Sequence, residues 1–197
     1  MNSLWKKYTL ETFSLHPFGI LDVEIIWNPK SSKYFMKEAP IRYDFLPYYP
    51  TIDDKGVGYL VDAIVRNAGF YPKTTKKKLK LLLKFFKQNF NYASDLSLYG
   101  VEDYWELPAN FIANRGGDCD GYAFAFCCMA NYLGIITEPV ILKGNHMIVR
   151  SSVDGKYVYI DPVSSKYNVS VHPDEILKYS TTSIPSQEFL SSLQTRN

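Results

Sequence analysis

The sequence contains little cysteine or histidine, with three residues of each in 197. Cys119, Cys127 and Cys128 are too few and too crowded for a disulfide framework, and the adjacent pair would form a disulfide only with strain. No Cys-x-x-Cys pair occurs, which argues against a zinc ribbon. These absences exclude a disulfide scaffold and favour a reduced compartment.

Long apolar runs are also missing. No segment approaches the roughly 18 consecutive apolar residues of a membrane span, so we expect no membrane partner. The start of the chain has lysines but no apolar stretch after them, so no secretory signal is predicted. We therefore expect a cytoplasmic protein, of intracellular or viral origin.

Charge of neither sign is in large excess, since the formal net charge is +2. Strong phosphate binding needs a basic face, so we expect no nucleic-acid partner. The one dense basic run, at 76–80, is interpreted as the solvated face of a helix.

Length and composition fit one globular domain, with 46% hydrophobic and 21% charged residues. We predict a single domain over 1–197, whose core spans about 54–163. Residues 1–53 would form an N-terminal elaboration. Residues 164–197 would form a C-terminal helical extension, with short amphipathic helices at about 173–179 and 186–194.

Hydrophobic periodicity predicts mostly helices in the first part of the core and strands in the second. Helices are predicted at 53–70, from 74 or 75 to about 90, at 108–113 and at 119–133. The last helix is apolar all round, which indicates a buried central helix. Strands are predicted at 21–27, 138–142, 146–152 and 156–160, and Asp154-Gly155 is a hairpin turn between the last two.

Cys119 is predicted to lie in the first turn of the buried helix, directly after an Asp118 N-cap. Free backbone N–H groups and the helix dipole favour negative charge there, so we expect a lowered thiol pKa and a nucleophilic thiolate. The same N–H groups would stabilise an oxyanion. The alternative is a buried structural cysteine, which is our interpretation of Cys127 and Cys128 in the middle of the helix.

The predicted hairpin brings His146 close to Asp161. With a two-residue turn at 154–155, paired positions sum to 309, so residue 148 faces 161 and residue 146 lies on the same face. His146 and Asp161 are then diagonal neighbours. An imidazole beside a carboxylate is the base and its orienting group in a nucleophilic triad.

These residues resemble a known family. The stretch from about 85 to 135 is similar to bacterial transglutaminase-like cysteine peptidases, and the segments around His146 and Asp161 fit the same family. The matching residues are Asn91-Tyr92, Asp95, Tyr99-Gly100, Asp103-Tyr104-Trp105, Pro108, Gly117-Asp118-Cys119-Asp120, Tyr122-Ala123 and His146-Met147. The resemblance covers roughly residues 85–163.

The resemblance implies an α+β fold with a papain-like transglutaminase core, in which a central nucleophile-bearing helix packs on an antiparallel sheet. It implies Cys119 as the nucleophile, His146 as the general base and acid, and Asp161 as the residue that orients the histidine. The implied activity is that of a hydrolase or acyl transferase acting on an amide bond of a protein or peptide substrate. The acceptor of the thioester would be water or an amine.

The chain departs from this family directly after the nucleophile. Members often read Cys-Glu-Asp, whereas this chain reads Cys119-Asp120-Gly121. Some members bind calcium through carboxylates beside the cysteine. Asp118 and Asp120 remain here, but Gly121 offers no side-chain oxygen, so the sequence does not support calcium and we expect no cofactor.

Two alternatives stay open. The motif at 115–119, Arg-Gly-Gly-x-Cys, also resembles the nucleophile motif of arylamine N-acetyltransferases. A non-catalytic binding or structural module on the same fold is the other, because fold does not dictate function. The second oxyanion-hole donor is unassigned, with Trp105, Gln88 and Asn110 as candidates by side-chain type. No oligomeric state is indicated.

Overall fold

The computed structural model describes residues 11–15, 23–27, 55–68 and 71–179. It consists of helices packed on an antiparallel sheet, so the predicted α+β class is confirmed. The helices are α1 (Lys55–Asn67), α2 (Thr75–Asn89), α3 (Asp95–Tyr99), α4 (Pro108–Asn114) and α5 (Cys119–Tyr132). Within these ranges no helix combines the length and the apolar character needed to cross a bilayer.

The strands form three sheets. β1 (Glu11–Leu15) pairs antiparallel with β2 (Val23–Trp27), and the two-residue strands β3 (Asn91–Tyr92) and β4 (Gly116–Gly117) pair parallel. The main sheet has five antiparallel strands in the order β8-β7-β6-β5-β9. Its strands are β5 (Thr137–Leu142), β6 (His146–Val153), β7 (Lys156–Asp161), β8 (Lys166–Tyr167) and β9 (Ile176–Tyr179).

Helix α5 is the centre of the core. Every residue from 120 to 130 is buried, because α5 packs on β5 and β6 on one side and on α1, α2 and α4 on the other. This is the environment that an all-apolar helix requires. Leu133 is its C-cap and Gly134 follows with φ 74°, so the predicted glycine stop is confirmed.

An aromatic cluster joins the helices to one another. Phe86 of α2 lies within 4.9 to 6.1 Å, between ring centroids, of Phe90, Phe111, Tyr122 and Phe126. Thr74 accepts a hydrogen bond from the Lys77 N–H at 3.3 Å and caps α2, as predicted. The cluster fixes α2 and α4 against the first half of α5.

The hairpin of β6 and β7 has the predicted register. Val153 pairs with Lys156 and Val149 with Ile160, so every pair sums to 309. Asp154 and Gly155 occupy the turn with φ values of 51° and 75°, as a two-residue hairpin loop requires. The register therefore brings the start of β6 and the end of β7 to the same end of the sheet.

The predicted helix at 173–179 is wrong, and with it the described part of the helical extension. Residues Pro173–Glu175 form one 3-10 turn, and Ile176–Tyr179 is strand β9, paired with the outer edge of β5. A seven-residue amphipathic pattern gives a helix little stability of its own. The open backbone groups of β5 offer β9 hydrogen bonds instead. The predicted helix at 186–194 lies outside the described residues.

Besides β9, five short elements of the described residues were not predicted, namely α3, β1, β3, β4 and β8. The region before the nucleophile contains α3 and the β3–β4 pair, where only loop and one short helix were expected, and strand β1 pairs with the predicted strand at 21–27. Two-residue strands have no periodicity to detect, since their existence depends on the partner.

Candidate active site

The first turn of α5 is held in place by the glycines that precede it. Gly116 and Gly117 form β4 against β3, and a side chain at Gly116, whose φ is 144°, would overlap the Asn91 carbonyl oxygen. Asp118 then caps the helix by accepting the Asp120 N–H at 3.1 Å. Cys119 is therefore the first residue of α5, as predicted.

His146 and Asp161 lie side by side at the end of the hairpin. His146 opens β6 after a turn in which Asn145 has φ 58°, and Asp161 is the last residue of β7. His146 Nε2 is 3.5 Å from Asp161 Oδ2. The register argument from the sequence thus placed these two side chains correctly.

The Asp161 carboxylate is held by its own turn as well as by the histidine. Its Oδ1 accepts the Val163 and Ser164 N–H groups at 3.0 and 3.3 Å, and its Oδ2 accepts the Ser164 hydroxyl at 2.6 Å. Burial alone would raise the pKa of Asp161, but hydrogen bonds from His146 and Ser164 lower it to about 2. The group is a fixed carboxylate at neutral pH.

The Cys119 thiol is hydrogen-bonded to the backbone beside His146 and not to the imidazole. Sγ lies 3.7 Å from the Asn145 carbonyl oxygen and donates to it, and among the described residues no hydrogen bond joins the thiol to the imidazole. Backbone N–H groups of Cys119 and Met147 face the sulfur. Cys119 and His146 line the same pocket, of about 360 Å³, which Asp161 does not line. Cys127 and Cys128 are fully buried, in agreement with their interpretation as structural residues.

The predicted lowering of the Cys119 pKa is wrong in this arrangement. Burial is the largest cause that raises the pKa of the thiol, which reaches about 12. The charges of Asp118 and Asp120 also raise this pKa, and the N–H groups of Met147 and Cys119 lower it by less. The sequence argument counted the helix dipole but not the burial or the two flanking carboxylates. In the metal-free arrangement the neutral thiol is therefore favoured over the thiolate.

Three carboxylates gather beside the nucleophile. One oxygen from each of Asp95, Asp118 and Asp120 lies within 4.8 Å of the others. Asp95 Oδ2 accepts the Tyr104 N–H at 2.7 Å, whereas Asp95 Oδ1 and Asp120 Oδ1 are buried without a hydrogen-bond partner in the described part of the chain. Burial raises the pKa of Asp95 to about 6 and that of Asp120 well above its usual value.

The sequence interpretation considered Asp118 and Asp120 together but did not connect Asp95 with them. Asp95 comes 23 residues earlier, and α3 with the β3–β4 pair brings it to the nucleophile. Its presence in the family motif was the one available signal.

Glu106 is a buried carboxyl beneath the first turn of α5. Its Oε2 accepts the Tyr99 hydroxyl at 2.6 Å and the Asn114 amide at 3.4 Å, while Oε1 has no partner among the described residues. Burial raises the pKa of Glu106 to about 8. A side chain at Gly117 or Gly121 would overlap Oε1. Glu106 therefore fills the space that a larger residue at 121 would need.

Of the three candidates for the second oxyanion-hole donor, only Trp105 lines the pocket. Gln88 lies in α2, and Asn110 is buried in α4. Trp105 is 4% exposed and packs edge-on against Phe124 of α5. Gln88 and Asn110 therefore do not line the pocket.

Comparison with known proteins finds distant likenesses among solved structures. No family model and no curated protein matches the chain. Calcium-bound LapG of Legionella pneumophila is 26% identical, with 71% of this chain and 86% of that chain covered and a TM-score of 0.48. EGTA-treated LapG is 28% identical, with 64% and 70% covered and a TM-score of 0.45.

A solved TGase is 15% identical, with 78% of this chain and 44% of that chain covered and a TM-score of 0.44.

We predict that Gly121→Ala destabilises the protein by about 1–3 kcal/mol, the usual cost of overpacking a core, because Cβ would meet the confined Glu106 carboxyl. Urea unfolding measures the change. In a Glu106→Ala background the same substitution should cost much less, since the obstructing oxygen is gone. Equal costs in both backgrounds would show that Glu106 does not restrict position 121.

Glu106 should also make stability fall as pH rises. Its folded pKa of about 8 lies above the ordinary value of 4.5, so the stability that Glu106 contributes is complete below pH 4.5 and is lost as pH rises through 8. The slope is at most about 1.4 kcal/mol per pH unit. Asp95 changes in the same direction, so the test is the difference between wild type and Glu106→Gln in unfolding free energy from pH 5 to 8.5. Parallel curves for the two proteins would contradict the assignment.

Proposed function

We propose that this chain is a cysteine-nucleophile hydrolase or acyl transferase that acts on amide bonds through Cys119, His146 and Asp161. The observation that carries the proposal is the His146–Asp161 pair, 3.5 Å apart, with the imidazole lining the same pocket as the thiol. A base held by a carboxylate beside a nucleophile at a helix N-terminus is the arrangement that acyl transfer requires.

The first step follows from the protonation state of the thiol. Because the Cys119 pKa is raised, the sulfur attacks from the neutral form, and His146 removes its proton during the attack. Asp161 holds Nε2, so Nδ1 is the nitrogen left to receive the proton. The fixed carboxylate stabilises the imidazolium that results.

The remaining steps complete an acyl transfer. Sγ bonds to the amide carbon, and the oxyanion is stabilised by N–H groups at the start of α5, with Trp105 as the side-chain candidate for the second donor. The C–N bond then breaks, and His146 gives its proton to the leaving amine. Water or a second amine attacks the thioester, and His146 takes the proton of the acceptor. The C–S bond then breaks, His146 returns the proton to the sulfur, and the acid or new amide leaves.

A non-catalytic binding module is the second candidate. The raised thiol pKa and the Cys119–Asn145 contact, in place of a Cys119–His146 hydrogen bond, favour it. The two candidates differ in one property, which is whether the reactivity of Cys119 depends on His146.

We expect iodoacetamide at pH 7.5 to alkylate Cys119, and His146→Ala to slow that reaction by about tenfold or more, since a positioned base contributes at least this much. Mass spectrometry maps the modified residue. Cys127 and Cys128 serve as internal references, because they are 0% and 1% exposed.

A matched control is His172→Ala. His172 also lies beside a carboxylate, with Nδ1 3.4 Å from Asp174 Oδ2, but this exposed pair is not part of the pocket. Its loss should leave the Cys119 rate unchanged. Equal Cys119 rates in wild type and His146→Ala would favour the binding module.

We also propose that Asp95, Asp118 and Asp120 hold a calcium ion, against the expectation from the sequence. Clustered carboxylate oxygens are hard ligands of the kind calcium prefers. Asp95 Oδ1 and Asp120 Oδ1 are buried with no hydrogen-bond partner among the described residues. Asp95 supplies a third carboxylate for the cluster, whereas Gly121 has no side-chain oxygen to offer. When bound, the ion would supply positive charge that offsets the two aspartates flanking Cys119.

Calcium chloride at 1 mM should raise the melting temperature by about 5 °C or more relative to EDTA, if the ion binds with micromolar affinity. Asp95→Asn should remove most of this shift, because it takes one charge from the cluster. Asp154→Asn, in the β6–β7 turn, should keep it. Identical melting curves of the wild type in calcium and in EDTA would refute the calcium site.

A further inference from the structure

Acidic side chains dominate the charged groups that line the pocket around Cys119. Four of its lining residues are acidic, and none is lysine or arginine. The acidic residues are Glu102, Asp103, Asp118 and Asp120. A concave site lined by charge of one sign concentrates ligands of the opposite sign.

Glu102 and Asp103 form the outer part of this charge. Both are exposed, and neither forms an ion pair with a lysine or arginine in the described ranges. They do not belong to the cluster of Asp95, Asp118 and Asp120, whose oxygens lie within 4.8 Å of one another. A metal ion in that cluster would therefore leave the charge of Glu102 and Asp103 in place.

Apolar side chains complete the pocket. Trp105 and Met147 are each 4% exposed, and Ile141 is partly buried. The long aliphatic part of a lysine or arginine side chain packs on such surfaces while its charged end stays polar, and a tryptophan face also attracts cations. A volume of about 360 Å³ admits one such side chain beside a peptide bond.

Asp120 gives a second indication of a cationic ligand. It lines the pocket, its side chain is 5% exposed, and its Oδ1 has no hydrogen-bond partner among the described residues. A buried carboxylate oxygen without a donor is costly unless a bound cation satisfies it, either the metal ion proposed above or, in the metal-free site, the charged end of a ligand.

We propose that the pocket selects amide substrates that carry a basic side chain beside the scissile bond, with Glu102 and Asp103 as the specificity-determining residues. The proposal rests on the function proposed above, because Cys119 is the reacting atom in both. The ligand chemistry is an alkylammonium or guanidinium group on an aliphatic chain.

Charged thiol reagents test the selection without requiring turnover. Cationic 2-aminoethyl, anionic 2-sulfonatoethyl and neutral methyl methanethiosulfonate each form a disulfide with Cys119 and release methanesulfinate. The reaction rate of each reagent with Cys119 is measured in EDTA, and mass spectrometry identifies Cys119 as the modified residue. This rate is divided by the rate of the same reagent with 2-mercaptoethanol, which removes differences in intrinsic reactivity. We expect the cationic reagent to exceed the anionic one by about tenfold or more at low salt, and the ratio to fall in 0.5 M NaCl.

The double variant Glu102→Gln, Asp103→Asn should lower this ratio severalfold, with each charged-reagent rate divided by the neutral-reagent rate of the same variant. A matched control is Asp154→Asn with Asp174→Asn, which removes two exposed acids outside the pocket. Asp154 lies at the far end of β6 from His146, about 23 Å along the strand. This control should keep the wild-type ratio.

Peptides then separate the two proposals. Fluorogenic amides with lysine, norleucine or glutamate beside the scissile bond should be cleaved in that order of kcat/KM, and the Glu102/Asp103 variant should reduce the preference for lysine over norleucine. Reagent selection without cleavage of any peptide would overturn the enzymatic function and leave the charge selection intact.

Equal normalised rates for the cationic and anionic reagents would overturn the selection, whether or not a peptide is cleaved. So would a preference that persists unchanged in the Glu102/Asp103 variant. The proposed selection would also be overturned if the preference for the cationic reagent disappeared in 1 mM calcium. The preference would then come from the charge of Asp95, Asp118 and Asp120 alone, and not from Glu102 and Asp103.

Discussion

Close packing around the first turn of α5 decides where Cys119 lies. Gly116 and Gly117 place the chain against β3, and Glu106 fills the space beneath Gly121, so Cys119 has little freedom to move. His146 and Asp161 are positioned independently of α5, by the hairpin of β6 and β7. The candidate site therefore lies where the N-terminus of α5 packs against one end of the main sheet. Its geometry depends on how the helix packs on the sheet.

Negative charge is the second constraint on the site. The helix N-terminus favours a thiolate, but burial and the neighbouring aspartates oppose it, and in the described arrangement they prevail. A cation near these carboxylates, whether a metal ion or a basic group of a substrate, would change that balance. Nucleophile strength and ligand binding would then be coupled through the same charges.

Much of the site could be predicted from the sequence because its parts are local. The capped helix at Cys119 and the Asp154-Gly155 turn are encoded within a few residues, and strand alternation then places His146 beside Asp161. The cluster with Asp95, the Glu106 carboxyl and the raised thiol pKa depend on contacts between distant segments and on burial. No periodicity records such contacts, and β9 was misjudged for the same reason.

The sheet that carries His146 ends in two modest strands. Strand β8 has two residues, and β9 covers part of the outer edge of β5 with four. Unpaired strand edges invite pairing with other chains. Strand β9 therefore occupies part of an edge of β5 that another chain could otherwise pair with, although it contributes no group to the pocket.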